Sequence, residues 1–263
     1  MLTTLCPAPH GAHAEPGEAL AHEARYAIYF APREDSVWWK FGCAWLGRDP
    51  VADTPVPVFA LAPFDAAYLA RITTMPRRYG FHATLKAPFR LKSSYGARDV
   101  NQQASHLALS LEPAALPPLR LCAIDGFVAL GFERRDLGTA NVNAIAAQCV
   151  SCFDNLRARP EAQELARRHA AGITLRRANL LAEWGYPYVF DEYRFHLTLT
   201  NRLTAGEQQQ VICALTPLVD TLASEPLLVD ALAVYRQAAG DAPFVVTRRY
   251  GFDGTVKIYR DDV

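Results

Sequence analysis

One seven-residue pattern occurs twice in this chain, and it constrains the fold more than any other sequence feature. The segments YGFHATL (79–85) and YRFHLTL (193–199) share tyrosine, phenylalanine, histidine, threonine and leucine at the same positions. Such agreement around a histidine indicates an internal duplication. A duplicated chain predicts two related halves, which we expect to pack about a pseudo-twofold axis.

Each copy alternates polar and apolar residues, as a half-buried strand does. The polar face of the first copy carries His82, Thr84 and Lys86. The polar face of the second copy carries Arg194, His196 and Thr198. If the two halves pack about a twofold axis, the two faces line one cleft from opposite sides.

Two histidines that face one cleft are suited to acid–base chemistry. An ordinary imidazole pKa of ~6.5 lets one ring accept a proton while the other donates one near neutral pH. The threonine hydroxyls beside them can donate hydrogen bonds to phosphate oxygens and stabilise developing charge without titrating. A single His-x-Thr on a strand is more often a structural histidine, but the matched pair favours a catalytic site that needs no metal, no cofactor and no covalent nucleophile.

The composition is that of a soluble globular protein, with 51% hydrophobic and 21% charged residues. Residues 1–24, rich in Ala, Pro, Gly and His, predict a flexible N-terminal extension, and residues 25–263 predict a single bilobal domain. Lys and Arg total 27, as do Asp and Glu, so no overall field attracts long nucleic acid or an anionic membrane. No apolar run approaches the ~20 residues of a membrane helix, and the N-terminus lacks a secretory pattern, so we expect a cytoplasmic protein.

The order strand, helix, two strands is predicted twice along the chain. In the first half, a strand at 25–31 and a helix at 97–111 precede two runs hinged at Gly126, LRLCAID and FVALGF. In the second half, the strand DEYRFHLTLTNRL precedes a helix at 205–222, whose capping box is Thr204-Ala-Gly-Glu207. Two further strand-like runs follow it. Because strands and helices alternate in this irregular order, we expect an α+β fold.

With these motifs, the chain resembles the 2H phosphoesterase superfamily, whose members carry two His-x-Thr/Ser motifs on opposed strands. The resemblance implies the bilobal LigT-like fold, with two antiparallel sheets flanked by helices around a central cleft. It also implies a metal-independent cyclic phosphodiesterase, in which His82 and His196 are the catalytic pair and Thr84 and Thr198 are phosphate ligands. Which histidine is base and which is acid depends on the product isomer, and both assignments stay open.

The fuller segments RYGFHATLKAPF and FHLTLTNRL are similar to a bacterial branch of that superfamily associated with phosphonate utilisation. This resemblance implies a small sugar cyclic phosphate, such as 5-phosphoribosyl 1,2-cyclic phosphate, as substrate. Two alternatives stay open: an RNA-end 2′,3′-cyclic phosphodiesterase or ligase, and a non-catalytic module that binds a phosphorylated sugar or nucleotide. The neutral charge of the chain counts against the RNA reading.

A substrate of this kind carries a second anionic group, the terminal phosphate, which would need cationic side chains in addition to the motif histidines and threonines. Three cations in or next to the motif segments are candidates for substrate binding: Lys86, Arg194 and Arg78. Two tyrosines are candidates by analogy of position, Tyr29 on the first predicted strand and Tyr235 on a late one. For Lys86 and Arg194, phosphate contact and a solvated surface position are equally supported. For the two tyrosines, core packing is the favoured interpretation.

Overall fold

The computed structural model describes residues 24–132, 139–159 and 173–261. The predicted N-terminal extension, residues 1–24, lies outside the described residues except for Ala24. At the centre is an antiparallel sheet of eight strands, which we number in chain order. In spatial order they are Val256–Ile258 (β12), Val245–Gly251 (β11), Ala231–Gln237 (β10), Arg25–Phe30 (β1), Ala83–Arg90 (β4), His196–Thr198 (β8), Phe127–Gly131 (β7) and Arg120–Ile124 (β6).

In the described part of the chain, four short strands pair outside this sheet. They are Arg48–Asp49 (β2) with Thr54–Pro55 (β3), and Ala114–Ala115 (β5) with Leu228–Val229 (β9). The described residues also form seven α-helices: Val37–Leu46 (α1), Ala66–Ile72 (α2), Thr74–Tyr79 (α3), Ala97–Ala108 (α4), Thr139–Phe153 (α5), Leu175–Trp184 (α6) and Ala205–Leu222 (α7). Two 3₁₀ turns complete them, Asp154–Leu156 and Phe190–Glu192. Within the described ranges, none of the helices combines the length and the apolar character that crossing a bilayer requires.

One hydrophobic core lies between the sheet and the helices on one of its faces. Helix α4 packs on β10 and β11, α5 packs on β4, and α7 packs on β6 and β7. Their apolar sides meet one face of the sheet, and the core includes Val100 and Leu215 from helices and Ile28, Leu130 and Leu197 from strands. Because this core runs under both motif strands, the two halves of the chain share it.

Local sequence signals explain where several elements begin and end. Asp125 and Gly126, with φ of 46° and 93°, form the tight turn between β6 and β7, which confirms the predicted hairpin. Helix α7 begins at the predicted capping box, in which Thr204 and Glu207 bond each other's backbone. By contrast, the strand expected over the first motif copy, residues 79–85, starts only at Ala83, because α3 continues to Tyr79.

The expectation of two separate antiparallel sheets is wrong, because the motif strands β4 and β8 pair with each other at Ala83 and Leu197. Both side chains are fully buried in the shared core, so the inner edges of the two half-sheets meet there. The pairing joins five strands on one side to three on the other in a single sheet. The five-stranded side combines N-terminal strands with the C-terminal β10 to β12, so the halves are interleaved in sequence.

Candidate active site

The pairing of β4 with β8 brings the two motifs side by side. Because the strands are antiparallel, the register at Ala83 and Leu197 sets His82 across from Thr198, and Thr84 across from His196. Alternation directs these four side chains to the sheet face opposite the helical core. The structure therefore unites both His-Thr pairs on one face of one sheet, rather than on opposite walls of a cleft.

Both imidazoles make the same backbone contact. Nδ1 of His82 lies 2.8 Å from the carbonyl oxygen of Gly80, and Nδ1 of His196 lies 2.8 Å from that of Arg194. A carbonyl oxygen only accepts, so each Nδ1 carries the hydrogen and each Nε2 keeps its lone pair when the ring is neutral. Thr84 Oγ1 lies 3.4 Å from Nε2 of His82, so this nitrogen is directed along the motif face.

Aromatic rings surround His82. The Tyr29 ring stacks on the imidazole with centroids 3.8 Å apart and planes at 20°, and the Tyr235 ring lies 6.1 Å away. Burial among these rings lowers the pKa of His82 to about 4, the Gly80 carbonyl opposes this shift, and nearby His196 adds to it. His82 is therefore neutral near pH 7 and can accept a proton.

His196 has different neighbours. Burial lowers the pKa of His196 below its ordinary value; the hydrogen bond to the Arg194 carbonyl and the charge of Asp125 offset part of this, and the charge of Arg194 adds to it. Among the described residues the nearest ring is Phe127, at 5.6 Å and tilted by 39°, so none of their aromatic side chains stacks closely on this imidazole. Where Tyr29 pairs with Thr84 in the first half, the small Ala129 pairs with Thr198 in the second.

His196 and Thr84 line a cavity beside the motif strands. Its other polar walls come from three arginines and two carboxylates: Arg177, Arg194, Arg202, Asp125 and Glu192. Its aromatic walls are Phe127, Tyr186, Tyr188 and Tyr193. Among the described residues, no group of three or more His, Cys, Asp or Glu side chains is arranged to hold a metal ion.

The predicted position of Lys86 on the motif face is wrong. Thr84 pairs with Tyr29 and Lys86 with Ile28, so a bulge at Leu85 interrupts the alternation and turns Lys86 towards the helical core. There Lys86 is 3% exposed, and its Nζ donates to the Val150 carbonyl and forms a 2.9 Å ion pair with Asp154. Lys86 therefore holds α5 against the sheet and does not reach the cavity.

The structure separates Arg78 and the two tyrosines from the cavity as well. Arg78 lies on α3 and donates to the carbonyls of Gly240 and Ala242, so it anchors the loop before β11. Tyr29 and Tyr235 are 1% and 0% exposed and pack around His82. Of the five predicted substrate-binding residues, Arg194 alone lines the cavity.

Sequence reasoning missed Asp125, Arg177, Arg202 and the tyrosines of the cavity wall. Asp125 sits in the hairpin turn, and Arg202 packs its side chain along the same turn at Gly126. Arg177 comes from α6, and its Nε donates to Glu192 at 3.0 Å while its guanidinium covers the Tyr188 ring at 4.9 Å. One feature of the sequence could have identified two of them. Asp125 lies in the turn before β7 and Arg202 follows β8, so both stand at the end of a strand in or next to the second motif.

Comparison with known proteins places the chain in a family. Residues 84–245 match the family described as "Protein of unknown function (DUF1045)". The chain belongs to this family. The match contains the whole second motif strand and begins two residues after His82.

Two curated relatives are similar over most of the chain, and both are named "Ribose 1,5-bisphosphate phosphokinase PhnN". The protein from Janthinobacterium sp. (strain Marseille) is 37% identical over 234 residues, which are 88% of this chain and 51% of the relative. That from Laribacter hongkongensis (strain HLHK9) is 33% identical over 231 residues, which are 85% of this chain and 51% of the relative. The chain thus spans about half the length of these relatives.

Among solved structures, Kluyveromyces marxianus Usb1 matches 86% of this chain and 99% of its own, with 11% identity and a TM-score of 0.32. A similarity of this size supports no inference about the site.

Proposed function

We propose that this protein is a metal-independent cyclic phosphodiesterase that opens a small sugar cyclic phosphate, as the resemblance to the 2H phosphoesterases implies. The observation that carries the proposal is the pairing of Ala83 with Leu197, which sets the two His-Thr pairs diagonally on one sheet face. Both imidazoles have Nδ1 bonded to backbone, which leaves Nε2 for proton transfer. A phosphodiester placed between them would meet one histidine on each side of phosphorus.

The different surroundings of the two rings suggest their roles. His82, with a pKa of about 4, is the base: its Nε2 removes a proton from water as the water oxygen attacks phosphorus. Protonated His196, near the carboxylate of Asp125, is the acid: it donates its Nε2 proton to the sugar oxygen as the P–O bond breaks. Thr84 and Thr198 donate hydrogen bonds to the non-bridging oxygens, where negative charge increases.

The names of the relatives support a particular substrate. Breaking the bond from phosphorus to O2 in 5-phosphoribosyl 1,2-cyclic phosphate leaves phosphate on O1 and gives ribose 1,5-bisphosphate, the compound in those names. We therefore propose that the sugar O2 is the leaving group, and that this chain produces what a ribose 1,5-bisphosphate phosphokinase consumes. The kinase activity itself is not assigned to this chain, which covers half of each relative and lacks the G-x-x-x-x-G-K-[ST] phosphate-binding sequence.

Phosphorus NMR tests this proposal. Purified protein is incubated with 5-phosphoribosyl 1,2-cyclic phosphate, and in parallel with an RNA that ends in a 2′,3′-cyclic phosphate, each with and without EDTA. We expect conversion of the sugar phosphate to ribose 1,5-bisphosphate, unaffected by EDTA. Preferred turnover of the RNA end would support the alternative enzyme, and saturable binding without turnover would support the binding module. A requirement for a divalent metal would overturn the mechanism.

A further inference from the structure

We propose that Arg194 and Arg202, assisted by Arg177, form a subsite for the terminal phosphate of the substrate. This inference rests on the proposed function and adds to it the group that selects a phosphorylated sugar. All three arginines line the cavity that also contains His196 and Thr84. A molecule in that cavity would therefore contact the arginines while its other end lies at the motif face.

The charges in the cavity are not balanced. Arg177 is committed to Glu192 through a 3.0 Å ion pair, whereas Arg194 and Arg202 form no ion pair with any carboxylate of the described residues. Asp125 is the other carboxylate in the lining, so the described lining residues carry three arginines and two carboxylates. An excess of cationic groups in a partly enclosed cavity favours binding of an anion.

The cyclic phosphate alone does not account for these arginines. It carries a single negative charge, which a protonated His196 and two threonine hydroxyls can already stabilise at the motif face. A terminal phosphate monoester carries up to two further charges and has oxygens at the spacing of a guanidinium fork. The planar, always charged arginine is suited to bind such a group bidentately.

The arrangement around Arg177 prepares this subsite. Glu192 and the Tyr188 ring together fix its guanidinium at the cavity wall. Arg202 packs along the β6–β7 turn, and the backbone carbonyl of Arg194 accepts the hydrogen bond of His196. Binding of the terminal phosphate would thus be coupled through short contacts to the elements that position the acid.

Steady-state kinetics with two substrates tests the subsite. The variants are Arg194→Gln, Arg202→Gln and the double variant. The control is Arg176→Gln, which precedes Arg177 on α6 but pairs with Asp191 outside this cavity. The substrates are 5-phosphoribosyl 1,2-cyclic phosphate and ribose 1,2-cyclic phosphate, which lacks the terminal phosphate.

We expect each cavity variant to lower kcat/KM about 10-fold or more for the phosphorylated substrate, mainly through KM, and less than about 2-fold for the analogue. Arg194→Lys should recover part of the loss, because it keeps the charge but not the fork. Arg176→Gln should behave as wild type. Equal losses on both substrates would overturn the subsite.

Calorimetry with ribose 5-phosphate separates this inference from the proposed function. The wild-type protein should bind ribose 5-phosphate, and the double variant should bind it at least about 10-fold more weakly. If neither cyclic phosphate is turned over but this difference is found, the proposed function fails and the subsite stands. If the cyclic phosphates are turned over but ribose 5-phosphate binds both proteins equally, the subsite fails and the function stands.

Discussion

His82 and His196 occupy the same position in two copies of one motif, yet their surroundings differ. The Tyr29 ring stacks on the ring of His82 at 3.8 Å, and the Tyr235 ring lies 6.1 Å from it. His196 lies instead beside a cavity that contains Asp125 and Arg194. The first histidine is packed among aromatic rings, while the second lies beside a cavity whose walls are charged as well as aromatic.

This difference indicates how a motif that occurs twice can support two roles, proton acceptor and proton donor. Each copy keeps the hydrogen bond from Nδ1 to the carbonyl two residues earlier, so both rings have the same tautomer. The neighbouring elements differ: Tyr29 of β1 stacks on His82, whose pKa burial lowers to about 4, whereas the charge of Asp125 in the β6–β7 turn opposes the lowering of the His196 pKa by burial. In the mechanism proposed above, environment rather than the motif itself distinguishes the base from the acid.

Removal of either histidine should give the largest effect. We expect His82→Ala and His196→Ala each to lower kcat by about 10² to 10⁴-fold, because each removes one partner in proton transfer. The double variant should be little worse than either single variant, since the pair acts as a unit. His106→Ala, at an exposed position near the end of α4, is the matched control. Near wild-type kcat in one of the two single variants would contradict the paired mechanism.

Lys86 allows the two motif copies to be compared at the position two residues after each motif threonine. In the second copy this position is Thr200, which accepts a hydrogen bond from the Val128 N–H, and in the first it is a lysine paired with Asp154. We expect Lys86→Met to lower the free energy of unfolding by about 2 kcal/mol, because a buried ion pair loses one partner while Arg157 still pairs with Asp154.

Urea denaturation measures this loss of stability. We expect kcat/KM to fall only slightly, and by the same factor for the phosphorylated and the unphosphorylated sugar substrate. Lys92→Met, at an exposed lysine that bonds the Asn155 carbonyl, is the control for loss of a lysine near the same turn. A selective loss on the phosphorylated substrate would show that Lys86 contacts its phosphate and would contradict the structural role.

The sequence was sufficient to predict elements that depend on local signals. The Asp125-Gly126 turn, the capping box at Thr204 and the alternation around His196 each involve neighbours in the chain, and each appears in the structure. The alternation also predicted that His82 and Thr84 share one face of their strand, and that His196 and Thr198 share one face of theirs. To bring all four together, the two strands needed only to pair with each other.

Contacts between distant segments could not be predicted in the same way. Nothing near Ala83 specifies its pairing with Leu197, which depends on how the two half-sheets share one core. The bulge at Leu85 depends on the register with β1, and it moved Lys86 to the opposite face. Arg177 reaches the cavity only because α6 packs beside it, a placement that no spacing in the sequence encodes.

The pH dependence of kcat/KM should reveal the two environments separately. His82 must be neutral, so activity is lost as pH falls through its pKa of about 4. His196 must be protonated, and because burial lowers its pKa below the ordinary ~6.5, activity should already decline as pH rises towards neutrality. We therefore expect a bell-shaped profile with its maximum on the acidic side, whose limbs report macroscopic values of the coupled pair. A flat profile between pH 5 and 9, with chemistry limiting, would contradict it.

Asp125→Asn should give the smallest effect, because it removes one charge near His196 and leaves both histidines in place. Without this carboxylate the pKa of His196 should fall further, so the alkaline limb should move to lower pH while the acidic limb of His82 stays in place. Since Asp125 lies in the cavity lining, we expect a shift of less than about one pH unit, with kcat at the new optimum reduced less than about 10-fold. The control is Asp220→Asn, at an exposed position on α7. Movement of the acidic limb instead would assign the acid to His82 and reverse the two roles, because the limb that responds to Asp125 belongs to the histidine beside it.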